Sequence, residues 1–262
     1  MNQIMNRLHE HYTEVENMGY EIVGLFLQGS QNYDLAYEDS DIDSKAIVLP
    51  KFDDFVLNNK PTSTTHILEN NEHVDLKDIR LMFDCFKKQN VNFVEVLFTK
   101  YKIINPKYSS LFQPMLDNCE LIARYNNYVS VNCMSGMSME KYKALEHPYP
   151  GTMDKIEKFG YDPKQLNHIM RLNEFIKRYL DGEKYSDCLI SKNKEYLIEV
   201  KKGIHTLEEA RELAKNISDE THQIKTDYMS NNPVQINKEV EEIMKNVLLN
   251  IMKHNFKSEL GV

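Results

Sequence analysis

The stretch LQGSQNYDLAYEDSDIDSKAIVLP, Leu27–Pro50, sets a Gly-Ser pair ahead of an acidic run and closes on apolar residues. Asp is a poor strand former, so Asp41 and Asp43, on either side of Ile42 in what otherwise reads as a strand, need a chemical reason. Residues two apart in a strand point to the same side with Cα atoms roughly 6.5–7 Å apart. The two carboxylates therefore project together and Ile42 turns into the core. Like charges on one face repel unless a cation neutralises them, and Mg²⁺ takes oxygen ligands while keeping positions open for water and phosphate. The competing reading is an exposed acidic strand edge or turn. Upstream, the run EIVGLFLQGS reads as a buried strand ending at Gly29-Ser30, with a helical segment expected soon after. Such a turn offers backbone N–H groups and a hydroxyl to phosphate oxygens, and glycine lets the backbone approach closely. Ten residues separate Ser30 from Asp41, enough for a short helix and a returning strand. A phosphate cradle beside a metal-binding pair is the minimum kit for phosphoryl or nucleotidyl transfer.

Outward from this core the pattern is mixed and then helical. Ile4, Leu8, Tyr12 and Val15 recur at helical spacing before Gly19, with His9 and His11 on a polar face where solvation is expected. TSTTHILE and EHVDL read as short strands joined by an Asn70-Asn71 turn, since Asn tolerates positive φ. That turn sets His66 opposite Asp75. LKDIRLMFDCFKKQ has the spacing of an amphipathic helix, with Asp78 suited to its first turn. NFVEVLF is a strand or a helix end. Helices are expected near 107–117, 120–145, 163–181, 206–229 and 236–253, with EHPYPGT as the most loop-like linker. The fold class is α+β: a small mixed β-sheet domain with flanking helices over 1–115, then an α-helical domain over 116–262.

Composition narrows the function. The 262 residues are 41% apolar and 27% charged with a formal charge of −8, globular values that disfavour a broadly basic surface for long duplexes but not a local basic pocket. The cysteines, Cys85, Cys119, Cys133 and Cys188, lack C-x-x-C spacing, so reduced thiols are expected rather than zinc or disulfides. With no signal-like N-terminus and no apolar run of membrane length, a cytoplasmic protein without membrane partners is expected.

The spacing Gly29-Ser30, ten residues, Asp41-Ile42-Asp43 resembles the G-S…D-x-D signature of the DNA polymerase beta-like nucleotidyltransferase superfamily. Within it the chain is similar to the RNA-ligase-associated predicted nucleotidyltransferase family, whose G-S-x-N-Y-G before S-D-x-D is followed closely by GSQNYDLAYEDSDID, with Asp34 at the position of the last Gly. VDLKDIRLMF, NFVEVLF, GYDPKQLNHIMRLNEF and VKKGIHTLEEA resemble further family blocks in the same order, over roughly residues 20 to 215. The resemblance implies a third carboxylate on a neighbouring strand. Asp75 is the best match, as metal ligand and as acceptor of the attacking hydroxyl's proton; a His–Asp structural pair with His66 is the rival reading. Glu95 matches a family glutamate without an assigned role.

In YDPKQLNHIMRLNEFIKRYL, Asp162 is placed to cap a helix and Pro163 to open it. Lys164, His168 and Arg171 then form one stripe, with Leu166, Ile169, Met170, Ile176 and Leu180 opposite. A basic stripe is commonly a solvated face. Here Phe175 interrupts it and Leu172 and Tyr179 flank it, and the resemblance carries the same K-x-x-x-H-x-x-R pattern. The expectation is a stripe facing a nucleoside triphosphate, in a cleft between the two domains, with Lys141 and Tyr142 as further contacts. Together these residues point to a Mg²⁺-dependent nucleotidyltransferase, Mn²⁺ being a possible substitute. Gly29 and Ser30 grip the β,γ-phosphates, Asp41 and Asp43 bind the metals, and Asp75 completes the second metal site. The resemblance suggests an RNA end as acceptor; a tRNA end, a protein hydroxyl or a second nucleotide are alternatives. So are a toxin- or defence-type enzyme and a nucleotide-binding regulator without turnover.

Overall fold

The structure, a computed structural model, describes residues 2–36 and 40–262. Residues 37–39 of the loop after Gly29-Ser30 lie outside the described residues. The architecture is α+β: a five-stranded mixed sheet with flanking helices, followed by a helical region. The described residues fall into two compact units. The first draws on 2–32, 40–125 and 236–262, and the second on 33–36 and 126–235.

In the first unit the strands are β1 (Glu21–Gln28), β2 (Asp43–Leu49), β3 (Ser63–Ile67), β4 (His73–Asp78) and β5 (Lys102–Ile104), in the spatial order β3-β4-β2-β1-β5. Only β2 and β4 run parallel; the other neighbours are antiparallel. One face presents Leu25, Leu27, Ile42, Ala46, Val48, Val74 and Leu76 to Leu8 and Val15 of helix α1 (Asn2–Asn17). The alternation required by the pleat puts Gln28, Asp43, Lys45, Asp75 and Lys77 on the opposite face. Helices α2 (Phe52–Val56), α3 (Ile79–Lys87), α4 (Val91–Val94), α5 (Ser109–Asp117) and α6 (Cys119–Ile122) complete the region before residue 126. NFVEVLF resolves as helical, α4 running into a 3₁₀ turn over Glu95–Leu97 that buries Glu95.

The second unit holds α7 (Asn127–Ala144), α8 (Met153–Phe159), α9 (Pro163–Leu180), α10 (Tyr185–Leu189), α11 (Lys194–Lys202) and α12 (Leu207–Asn231). Asp162 caps α9 by accepting from Lys164 N at 3.0 Å, with Pro163 in the first turn. Helix α9 is buried nearly all round, Leu166, Ile169, Leu172, Phe175, Ile176 and Tyr179 each being at most 1% exposed. The apolar residues that interrupt the basic stripe are therefore core.

The last helix, α13 (Lys238–Leu260), belongs with the sheet, whereas the division at 115/116 assigns it to the helical domain. Phe256 packs on Phe52 and Phe55, and Asn255 donates to Pro50 O at 3.1 Å. Its apolar stripe is covered by α3 and α5, a docking that chain order does not reveal.

Candidate functional site

Strand β1 ends where Gly29 takes φ = +81°, a conformation costly for any residue with a Cβ. A short 3₁₀ helix follows over Gly29–Tyr33, in place of the short helix expected there. Asn32 pins this turn: its amide donates to Leu27 O at 2.6 Å and its Oδ1 accepts from Thr99 Oγ1 at 2.7 Å. Asp34, where the similar family has Gly, sits at φ = +55°. That is the left-handed region which Asp tolerates better than most side chains.

Asp43 is the first residue of β2 and pairs with Gln28, the last of β1. Asp41 precedes the strand and is exposed, because β1 has already turned away and offers it no partner. Ile42 between them is buried, as expected. Asp43 Oδ1 accepts from His73 N at 2.9 Å, and a methyl built on Gly29 would stand 4.0 Å from Asp43 Oδ2. The structure thus sets the Gly29 turn and the Asp43 carboxylate side by side.

Asp75 is placed differently from the expectation. The turn after β3 has a three-residue loop, with Leu68 N donating to Glu72 O and Asn71 at φ = +66°. Thr65 therefore faces Asp75 and His66 faces Val74. This corrects the register by one residue and removes the His66–Asp75 pair, because an odd loop shifts what a two-residue turn would align. Asp75 Oδ1 accepts from Thr65 Oγ1 at 2.6 Å, and its Oδ2 accepts from Gln28 Nε2 and Lys45 Nζ at 3.1 Å each. Burial alone would raise the Asp75 carboxyl, but the Lys45 charge and these hydrogen bonds outweigh it and hold the group below its ordinary value. Burial dominates at Lys45, whose ammonium is shifted down in spite of Asp75.

Asp41 lies before the strand that Asp43 opens, so the shared strand face expected for the two is not formed; their carboxylates are nonetheless of the type that holds Mg²⁺ together with substrate phosphates. A cage of three protein ligands is a separate matter. Among the described residues no three His, Cys, Asp or Glu side chains come together so as to hold a metal ion.

Beneath the strands lies a buried chain that the sequence did not disclose. His11, fully buried rather than solvated, bonds through Nδ1 to Ser44 Oγ at 2.8 Å and through Nε2 to Glu72 Oε2 at 2.9 Å. Arg7 Nη2 donates to the same Glu72 oxygen at 2.6 Å. Burial depresses the His11 imidazole against the opposing pull of Glu72. The chain ties α1 to the starts of β2 and β4, next to the His73 N–H that holds Asp43. His9 is exposed, as expected.

In the helical unit the basic stripe is graded: Lys164 is exposed, His168 half-buried and Arg171 buried. The Arg171 guanidinium lies 3.8 Å from the ring centroid of Tyr33, the residue that ends the Gly29 turn. The His168 imidazole is held well below its ordinary value, first by burial and then by the positive charges of Arg171, Lys164, Lys141 and Lys201. The charges of Lys141 on α7, of Lys164 and Arg171 on α9 and of Lys201 on α11 all act on this one imidazole. Lys201 also donates to Leu35 O at 3.3 Å. The sequence gave no signal for it beyond its place in VKKGIHTLEEA. Tyr142 packs against the Leu145, Tyr161, Leu166 and Ile169 cluster, a core position.

No protein-family model matches the chain, and no curated protein matches it. No helix among the described residues is long and apolar enough to cross a membrane.

Proposed function

We propose that this protein is a nucleotidyltransferase, moving a nucleoside monophosphate from a nucleoside triphosphate to an acceptor hydroxyl. The observation that carries the reading is the contact of Tyr33 with Arg171. Within the helical unit this contact sets Arg171 beside the residue that ends the Gly29–Tyr33 turn, and we take that turn and the positive charges acting on His168 as the two anion-binding features that a triphosphate needs. In this reading Gly29 and Ser30 bind the β,γ-phosphates, while Lys141, Lys164 and Arg171 compensate their charge and His168 donates to an oxygen. Asp41 and Asp43 would hold Mg²⁺, which when bound neutralises charge on the triphosphate. The acceptor oxygen forms the new bond to the α-phosphorus, the bond to the departing pyrophosphate breaks, and the hydroxyl proton passes to solvent water. The chain's contribution is placement and charge compensation. What Asp75 adds depends on its partner Lys45.

The acceptor proposed is an RNA end, on the strength of the resemblance to the ligase-associated family. Cys85, Cys119, Cys133 and Cys188 are not joined in disulfides, which suits a reducing compartment such as the cytoplasm. Incubation with each α-labelled nucleoside triphosphate, Mg²⁺ and total cellular RNA or protein is expected to label RNA. Label in protein would reassign the acceptor, and no transfer to either would refute the enzyme. Asp41→Ala, at an exposed position, should keep the fold and lose at least about a hundredfold in rate; undiminished transfer by this variant would refute the site.

A further inference from the structure

Building on the nucleotidyltransferase reading, we propose that Lys45 is a built-in cation standing where a second metal ion would bind, so that the site takes one divalent ion and not two. The family resemblance implies two ions shared by three carboxylates. The structure arranges the third carboxylate otherwise. Lys45 lies on the central strand β2, two residues beyond Asp43 and on the same face, directly across from Asp75 on β4. It is 3% exposed, and an ammonium buried that far needs a fixed counter-charge. Asp75 supplies it at 3.1 Å. The Phe93 ring, 4.2 Å from the ammonium, backs it.

Asp75 is equally committed. An ionised carboxylate has about four acceptor positions, and Thr65, Gln28 and Lys45 each donate to one of them. A divalent ion ligated by Asp75 would have to displace a buried ammonium or share the carboxylate with it, at a like-charge cost either way. Asp43 is placed differently: its Oδ1 receives the His73 N–H, and its Oδ2 faces the Gly29 turn. The charge that a second ion would bring is thus covalently attached to the strand. Asp75 is then a positioning residue for Lys45, and Thr65 and Gln28 fix its two oxygens.

Equilibrium dialysis of the full-length protein against Mn²⁺ and inorganic tripolyphosphate, a probe independent of base preference, counts both ligands per chain. The expected result is one tripolyphosphate and one Mn²⁺ for the wild type and for Lys45→Arg. Lys45→Met, which releases Asp75, should rise to two Mn²⁺. Two Mn²⁺ with one tripolyphosphate on the wild type would overturn the built-in cation and leave the nucleotidyltransferase reading standing. A count of one on folded Lys45→Met would also overturn it. Uptake of neither probe by the wild type would overturn that reading and this proposal together. The wild-type count decides even where Lys45→Met fails to fold.

Discussion

Arg171 and Lys164 carry the same charge in one stripe, yet burial separates their roles. Lys164 is exposed, whereas Arg171 is buried with its guanidinium over the Tyr33 ring. A planar guanidinium can stack and donate at once, which an ammonium cannot. Arg171→Lys should therefore raise the KM for the nucleoside triphosphate about tenfold, the scale of one charge-assisted hydrogen bond, with kcat changed much less. Steady-state kinetics with varied triphosphate measures this, and an unchanged KM would remove Arg171 from the binding site. The burial of Ile42 was legible because it falls in a strand-like run, whereas the start of that strand at Asp43, which leaves Asp41 outside it, was not. Lys45 obeys the same period-two rule, two places beyond Asp43, but a single Lys in a strand carries no visible signal until its partner across β4 is known.

Among the elements, the β3–β4 hairpin holds the most consequence for the site. Its three-residue loop depends on Asn71 at φ = +66° and decides that Thr65, not His66, faces Asp75. A β-branched residue in this conformation is strained by roughly 1–2 kcal/mol. Asn71→Val should cost about that much in chemical denaturation, while Asn71→Gly should cost far less. Faster amide exchange confined to β3 and the start of β4 would locate the effect. Both strands were readable from their alternation. The register was not, because Asn tolerates positive φ in two-residue and three-residue loops alike.

At the scale of the molecule, α13 is the element whose place matters most for stability. Phe256 covers Phe52 and Phe55, and Tyr108 Oη donates to Asn255 Oδ1 at 3.0 Å. Deleting residues 236–262 should unfold the sheet unit and spare the helical one. Loss of amide protection in β1 and β2 with protection retained in α9 is the expected pattern, and the reverse would restore the division by chain order. Acid should also act on both units. The His11 and His168 imidazoles titrate below the ordinary value of 6.5 when folded. Below that value the unfolded chain binds more protons than the folded one, so stability is full above about pH 6.5 and falls as pH drops toward the folded values. The slope approaches about 1 kcal/mol per pH unit for each imidazole. Thermal midpoints at pH 7.5 and 5.5 test this, and His168→Gln should reduce the difference. A profile flat across that range would contradict the lowered values of both rings.

Periodicity and spacing within the sequence determined the local structure. They read the mixed α+β order, the N-cap of α9, the turn at Gly29-Ser30 and the burial of Ile42, because each depends on residues within a few positions of one another. Tertiary structure alone decided the return of α13 to the sheet, the burial of His11, the pairing of Lys45 with Asp75, and the addition of Lys201 to the His168 cluster. Each of these joins residues far apart in the chain. Whether a charge meets water, a ring or an opposite charge depends on packing around it, which no local pattern records.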